Sequence, residues 1–217
     1  MRIVIIGGHG KVALRLAPLL TARGHAVTSL VRNADHTTDV AATGATPVVA
    51  DVEHLGIEAI AEPLAAHDAV VWTAGAGGGN PDRTYAVDRD AAIRSMEAAA
   101  ASGLDRYVMV SYFGAGPDHG VPPDHSFFAY ADAKSAADAH LVATDLAWTV
   151  LRPSGLTDDP GTGMIEVGED LAPGQVSRQD VARVAVAVLE HPGTAGSIIA
   201  FNTGDTPIDE AIARFDQ

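Results

Sequence analysis

Residues 3–13 read IVIIGGHGKVA, and this stretch decides the fold. Its first four residues are apolar and β-branched, which is typical of a short buried strand. A glycine-rich turn follows, and residues 11–23 then place apolar side chains at helical spacing up to Gly24, which predicts a helix that ends there. The start of the chain therefore predicts a strand over residues 2–6, a tight turn, and a helix over residues 11–23.

The glycine turn matches GxGxxA when it is read from Gly8 and GxxGxxA when it is read from Gly7. Between a strand and a helix, such a turn brings bare backbone and the free N–H groups of a helix N-terminus toward a pyrophosphate. A glycine-rich turn without a ligand is the alternative. The motif predicts a dinucleotide site with the candidate residues Gly7, Gly8, His9, Gly10, Lys11 and Val12.

Short apolar runs alternate with helical patterns along the rest of the chain. The further predicted strands cover residues 26–31, 46–50, 69–72, 106–110, 148–151 and 197–201, and the further predicted helices cover residues 56–66, 82–102, 130–143 and 180–190, with Asp180 as a candidate N-cap. This alternation predicts parallel pairing, and the unbroken apolar strands predict a sheet covered on both faces. We expect an α/β fold, in which residues 1–217 form a single doubly wound Rossmann-type domain with a mostly parallel sheet of about seven strands.

Composition excludes several classes of partner. The formal charge is −14, so a nucleic-acid backbone and an anionic membrane surface are disfavoured as ligands. The chain has no cysteine, and its nine histidines are scattered, so no metal site is predicted. No stretch reads as a signal-peptide core or a membrane span, and we expect a cytoplasmic protein that is a monomer or a homodimer.

The residues that follow three of the strands bear on the choice of dinucleotide. An NAD site typically has an acidic residue after the second strand, but this chain has Arg32 there. A guanidinium suits a 2′-phosphate, so NADP(H) is predicted over NAD(H), with a solvated surface arginine as the alternative. Asp51 and Val52 are candidates for the adenine, although Asp51 equally fits a helix cap. Ala74 and Gly75 are small enough to let the backbone approach the cofactor.

A tyrosine and a lysine lie four residues apart on the predicted helix over residues 130–143. Tyr130 and Lys134 therefore share one helix face. A nearby cation lowers the pKa of a phenol and makes it a better proton donor to a carbonyl that receives a hydride. Ser111 ends the fifth strand, where its hydroxyl would orient a substrate oxygen. The alternative is a tyrosine packed on the sheet with the lysine in solvent.

Two irregular stretches follow strands and are candidates for the substrate side. They cover residues 112–128 and 154–177. In a doubly wound sheet, ligands bind beyond the carboxyl ends of the strands. We therefore expect these two loops to line the pocket for a small-molecule substrate.

Together, GGHGKVA, Arg32, Ser111 and YADAK resemble the short-chain dehydrogenase/reductase superfamily, and its atypical NAD(P)-binding members most closely. The resemblance spans essentially the whole chain. It implies that Pro153, in the LRPSG stretch after the sixth strand, contacts the nicotinamide end of the cofactor. It also implies that Lys134 bonds the nicotinamide ribose. At the position of the superfamily's catalytic asparagine this chain has Asp88.

The leading hypothesis is an NADP(H)-dependent oxidoreductase that moves a hydride between the nicotinamide and a small carbonyl or alcohol. Tyr130 would act as acid and base, Ser111 would orient the substrate, and Lys134 would tune the phenol. A non-enzymatic NADP(H)-sensing regulator and an NADPH-dependent flavin or quinone reductase are the alternatives. An epimerase ranks lower, because few residues follow Arg152 and they leave little room for a sugar nucleotide.

Overall fold

Strands and helices alternate from the first residues onward, and the computed structural model describes residues 1–168 and 171–216. Its strands are β1 (Arg2–Ile6), β2 (Ala26–Val31), β3 (Thr46–Val49), β4 (Ala69–Trp72), β5 (Arg106–Val110), β6 (Ala147–Pro153), β7 (Gly155–Thr157), β8 (Met164–Val167), β9 (Gln175–Ser177), β10 (Ser197–Thr203) and β11 (Thr206–Pro207). Within the described residues, nine strands form one sheet in the order β3-β2-β1-β4-β5-β6-β10-β8-β11, and β7 pairs with β9 separately.

The sheet is mostly parallel, because only β8 runs antiparallel to its neighbours β10 and β11. This confirms the predicted α/β fold, and the seven predicted strands are the seven that pair in parallel within this sheet. The described sheet is two strands larger than predicted. Of the additional strands, β8 buries only Ile165 and carries Glu166, and β11 is two residues long, so neither is an apolar run.

The helices are α1 (Ala13–Ala22), α2 (Thr37–Ala41), α3 (Ile57–Leu64), α4 (Pro81–Thr84), α5 (Ala92–Ala101), α6 (Phe128–Val142), α7 (Arg178–Glu190) and α8 (Ile208–Ala213). A π-helical segment, Tyr85–Ala91, joins α4 to α5, so the long helix predicted over residues 82–102 is present with one widened region. Such widened turns often lie at functional sites. This segment carries Asp88, which the widened turn points inward among buried residues.

Side chains of the sheet alternate between two apolar layers. Ile3 and Ile5 pack toward α1, α7 and α8, whereas Val4 and Ile6 pack toward α3, α5 and α6. All four side chains are fully buried, and burying each contributes roughly 1.5–3 kcal/mol relative to leaving it exposed. The unbroken apolar run at the start of the chain is therefore explained by a strand that is covered on both faces.

The strand order reverses direction beside β1. The chain moves from β1 outward to β2 and β3, and then returns to place β4 on the other side of β1. The crevice outside the carboxyl ends of β1 and β4 is thus the topological switch point, where ligands of open α/β sheets bind. The glycine turn of residues 7–10 lies at this point.

A buried carboxylate organises the region before α7. Asp180 accepts hydrogen bonds from the backbone N–H groups of Thr162 (2.8 Å) and Gly163 (2.9 Å) and from the side chains of Ser177 (3.0 Å) and Arg183 (2.8 Å). The prediction that Asp180 is the N-cap is wrong, because the Ser177 side chain accepts the Asp180 N–H and caps the helix. Asp180 instead lies inside the first turn and anchors the turn that leads into β8.

We expect Asp180→Asn to lower the free energy of unfolding by about 2 kcal/mol at pH 7, because a buried acceptor of charge-assisted bonds is lost. Burial acts to raise the pKa of Asp180, but its hydrogen bonds outweigh burial and hold the pKa below its usual value of 3.8. A lowered pKa stabilises the fold above that value, and this contribution is lost as the pH falls through the folded-state pKa. Urea unfolding of both proteins at pH 7 and pH 3 tests this: the difference should shrink at pH 3, and an unchanged difference would contradict it.

Candidate active site

The turn after β1 brings the backbone against the end of β4. Gly7 has φ +87°, and a Cβ atom added there would lie 2.5 Å from the Ala74 Cα atom. A Cβ atom added at Gly8 would lie 2.5 Å from the Ser29 Cβ atom of β2. Both positions therefore require glycine, the first for its left-handed backbone and both for close packing. The Gly10 N–H donates to the Gly7 carbonyl at 2.8 Å and closes the turn.

Helix α1 starts beside this turn, at Ala13, with Val12 as its N-cap residue. Val12 is buried in the layer against α7, so its side chain supports the turn from behind. The Lys11 side chain leaves the turn and forms an ion pair with Asp158 (2.7 Å). Lys11 therefore offers the predicted dinucleotide site its backbone, while its side chain connects the turn to the loop after β7.

A cavity of about 280 Å³ opens above the switch point. Eight of the predicted cofactor residues line it, namely Gly7, His9, Gly10, Arg32, Asp51, Val52, Ala74 and Gly75. Arg32 is exposed at its rim. The Asp51 side chain accepts the Glu53 N–H at 3.2 Å, so Asp51 also closes the turn after β3. The structure thus brings together the ends of β1, β2, β3 and β4, as the sequence predicted.

His36 and Arg83 also line this cavity, and neither was predicted. The His36 ring stacks on the His9 ring with centroids 3.7 Å apart, and His9 pairs with Asp39 (2.9 Å). Arg83 forms an ion pair with Glu53 (3.0 Å) beside the same cavity and donates to the Ala76 carbonyl. The available signal for His36 was its position shortly after β2, whereas Arg83 lies in α4, beyond the loop that follows β4, and carried no local signal.

Lys134 belongs to α6, and its side chain is almost completely buried between that helix and the end of β5. Its Nζ atom donates to the Val110 carbonyl (2.8 Å) at the end of β5 and lies 3.5 Å from the Met109 sulfur. Burial lowers the pKa of Lys134, and the negative charges of Asp88 and Asp138 act in the opposite direction. The alternative interpretation, a lysine in solvent, is therefore wrong.

Asp88 reaches the same interior from the π-helical segment. Its carboxylate accepts the Ala76 N–H at 3.0 Å, and its side chain is buried. Burial raises the pKa of Asp88, and the nearby Lys134 charge partly offsets this shift. Asp88 therefore lies beside the candidate catalytic helix, at the place that the family resemblance implied.

Tyr130 is half-buried at the first turns of α6. Its ring lies 5.4 Å from the Tyr112 ring and 5.1 Å from the Phe127 ring, centroid to centroid. Burial raises the pKa of the Tyr130 phenol above its usual range, and the charges of Asp88 and Asp138 raise it further. The expectation that Lys134 lowers this pKa is not met in this arrangement, because the two carboxylates and the loss of water dominate.

Ser111 lies on the face of the sheet that α6 covers. Its hydroxyl donates to an Asp138 oxygen at 2.8 Å, and Arg152 donates to the same oxygen at 3.1 Å. The Pro153 carbonyl accepts the Phe113 N–H at 2.9 Å, so the ends of β5 and β6 are joined just beyond Ser111. Tyr130, Lys134, Ser111 and Asp88 thus all converge at the carboxyl ends of β4 and β5.

A second cavity, of about 650 Å³, lies next to Arg152. Both predicted substrate-side loops contribute to its lining, through Phe113 and Gly114 of the first and Val167, Gly168 and Leu171 of the second. Residues 169 and 170 of the second loop, like residue 217, lie outside the described residues. Across the described ranges, no three His, Asp or Glu side chains form a group that could hold a metal ion.

The family model described as NAD(P)H-binding matches residues 7–192. The chain belongs to this family. It is 36% identical to an uncharacterized sugar epimerase of Bacillus subtilis, YhfK, over 99% of this chain and all of that one. No helix in residues 1–168 or 171–216 combines the length and apolar composition that a membrane span requires.

Solved structures of relatives share the fold. A Bacillus halodurans protein named as a candidate NAD-dependent epimerase/dehydratase is 31% identical, with a TM-score of 0.91 over 99% of both chains. The oxidoreductase ylbE from Lactococcus lactis is 25% identical, with a TM-score of 0.88 over 99% of this chain and 96% of that one. These likenesses confirm the resemblance to atypical short-chain dehydrogenases/reductases, and the chain has the NAD(P)H-binding fold of an oxidoreductase.

We expect Gly7→Ala to weaken the binding of NADPH and NADH at least tenfold and to lower the free energy of unfolding. A left-handed backbone costs a residue with a Cβ atom about 1–2 kcal/mol, and the new atom would also clash with Ala74. Gly24→Ala is the matched control, because Gly24 has φ +81° but nothing lies within 4 Å of its added Cβ atom. Fluorescence titration and urea unfolding should show the smaller stability loss and normal affinity in the control. Equal behaviour of both variants would mean that contact with Ala74 is unimportant.

Proposed function

We propose that this protein is an NADP(H)-dependent oxidoreductase that transfers a hydride between the nicotinamide and a small carbonyl or alcohol. One observation carries the cofactor part of the proposal: the cavity at the switch point has a bare glycine floor and an arginine at its rim. Gly7 and Gly10 line this cavity without side chains, so their backbone is free to approach a pyrophosphate.

The proposed preference for NADP(H) rests on Arg32. In the described residues, Arg32 is exposed and forms no ion pair within 4.0 Å, so its donors remain available. It follows β2 directly, where the 2′-substituent of the adenosine ribose is recognised in this fold. A guanidinium binds a phosphate through two charge-assisted hydrogen bonds, which a 2′-hydroxyl cannot replace.

Arg32→Glu should raise the Kd of NADPH by about tenfold to a hundredfold, because charge-assisted hydrogen bonds contribute about 1.5–3 kcal/mol. The Kd of NADH should change by less than about threefold, since it lacks the 2′-phosphate. Fluorescence titrations of both nucleotides at fixed salt test this. Arg214→Glu is the control for net charge, because Arg214 lies beyond α8 and is exposed. An NADPH affinity unchanged by Arg32→Glu would contradict the preference.

Four side chains would handle the substrate and its proton. The bound nicotinamide supplies or accepts the hydride. Tyr130 would give a proton to the substrate oxygen or take one from it, while Ser111 would orient that oxygen. The Lys134 ammonium, held by the Val110 carbonyl, would bond the nicotinamide ribose, and Asp88 balances its charge. The loops over residues 112–128 and 154–177 would surround the substrate, as their meeting at the second cavity supports.

A second candidate is an NADPH-dependent flavin or quinone reductase. The raised pKa of Tyr130 favours this candidate, because a phenol of raised pKa is a weaker proton donor at neutral pH. Hydride transfer to a flavin or quinone does not need a proton from Tyr130. The two candidates therefore differ in whether turnover depends on this hydroxyl.

Tyr130→Phe should reduce NADPH-dependent carbonyl reduction by about 10²–10⁴-fold, the usual contribution of a general acid. The Kd of NADPH should not change, since the hydroxyl is not proposed to bind the cofactor. The assay follows NADPH oxidation with a panel of small aldehydes, ketones, quinones and free flavin. Tyr112→Phe is the control, because Tyr112 is a neighbouring phenol with no proposed role in proton transfer. If turnover survives Tyr130→Phe, the flavin or quinone candidate replaces the carbonyl reductase.

A further inference from the structure

The proposed function gives no role to one buried carboxylate, that of Asp138. Asp138 lies on α6, four residues after Lys134, and only 2% of its surface is exposed. One of its oxygens, Oδ2, accepts both the Ser111 hydroxyl and the Arg152 guanidinium. A buried carboxylate is costly, and a merely structural ion pair with Arg152 would not need the hydroxyl of Ser111.

The direction of the bond between Ser111 and Asp138 follows from proton counting. A serine hydroxyl has one proton and two lone pairs, and an ionised carboxylate can only accept. Because Oδ2 also accepts two N–H groups of Arg152, it is an acceptor, and the Ser111 hydroxyl donates its only proton to it at 2.8 Å. A ligand can therefore meet only the two lone pairs of the Ser111 Oγ atom, which accept hydrogen bonds.

The surroundings hold this arrangement in place. Ser111 follows Val110, which is paired with Leu151 in the parallel register of β5 and β6, so Ser111 and Arg152 lie side by side. Arg152 reaches Asp138 through Nε and a terminal nitrogen, both 3.1 Å from Oδ2. Asp138 is thus fixed from the sheet by Arg152 and from its own helix by the charge of Lys134.

We propose that Asp138 is a positioning residue that holds Ser111 as a hydrogen-bond acceptor. The inference rests on the proposed function. Any group that forms a hydrogen bond with the Ser111 oxygen must then be a donor. An alcohol hydroxyl of the substrate or the phenol of Tyr130 meets that requirement, whereas a carbonyl oxygen does not. Ser111 in this protein therefore recognises the alcohol form of a substrate, or orients Tyr130.

The contacts of Asp138 keep this polarity. Burial raises the pKa of Asp138, while the charges of Lys134 and Arg152 and the bond from Ser111 lower it. Tyr112 also lies within the field of Asp138, which raises the pKa of that phenol. Arg152 donates two N–H groups to Oδ2, so a proton on Asp138 would lie on Oδ1, and Oδ2 would still accept the Ser111 hydroxyl.

The absence of cysteine from the chain allows a direct test. Ser111→Cys introduces a single thiol, whose S–H stretching band in the Raman spectrum is free of other protein bands. A thiol that donates to Asp138 should show this band shifted to lower frequency. In Ser111→Cys/Asp138→Asn the band should move to higher frequency, because an amide accepts more weakly than a carboxylate.

Ser111→Cys/Asp88→Asn is the matched control, since Asp88 is also a buried carboxylate in the field of Lys134 but does not contact Ser111. Its S–H band should match that of Ser111→Cys alone. If the band has the same frequency with and without the Asp138 carboxylate, the proposal is overturned.

A pH titration of Ser111→Cys alone gives an independent result should the double variants fail to fold. Burial and the Asp138 carboxylate disfavour deprotonation of this thiol, whereas the charges of Lys134 and Arg152 favour it; with the hydrogen bond to Asp138 in place, at least half of the S–H intensity should remain above pH ~8.5, the usual thiol pKa. Normal titration near that pH would overturn the proposal. Neither measurement needs nucleotide or turnover, so loss of NADPH binding would contradict the proposed function without affecting this result.

Discussion

A buried ammonium group is the constraint on which the candidate site depends. Lys134 is almost fully removed from water, and an unpaired charge in that position would be strongly destabilising. The Val110 carbonyl and the carboxylates Asp88 and Asp138 offset the loss of hydration. These groups come from a strand end, a π-helical segment and α6 itself. The widened helix and the packing of α6 over β5 are therefore both conditions for keeping the charge of Lys134.

The parts of the fold that follow from neighbouring residues were predictable from the sequence. Residues 2–10 specify a strand and a glycine turn because β-branched residues and glycines act through local backbone preferences. Arg32 and Ala74 could be assigned to one cavity because the ends of parallel strands meet at one edge of the sheet. The spacing of Tyr130 and Lys134 indicated a shared helix face for a local reason as well, since four residues span about one helical turn.

What the sequence did not reveal depends on contacts between distant segments. Asp138 carries no local signal, and its role emerges only when β5, β6 and α6 bring Ser111 and Arg152 to it. The pKa of Tyr130 was expected to fall because Lys134 was counted and the two carboxylates were not. Strand β8 was missed because only its Ile165 is buried and because Asp180, from another element, anchors the turn before it.

The charge distribution reconciles an acidic protein with an anionic cofactor. The chain has 28 acidic and 14 basic residues, so its overall field repels a dinucleotide phosphate. Arg32 nevertheless lines the cavity at the switch point with no ion-pair partner among the described residues, whereas Arg83 is paired there with Glu53. The free N–H groups at the start of α1 add a partial positive charge beside it. Screening limits the overall repulsion to about 8 Å at physiological salt, whereas Arg32 and these N–H groups lie at the cavity itself. Binding is therefore decided locally, at the carboxyl ends of β1 and β2, and the field of the whole protein mainly slows the approach of the anion.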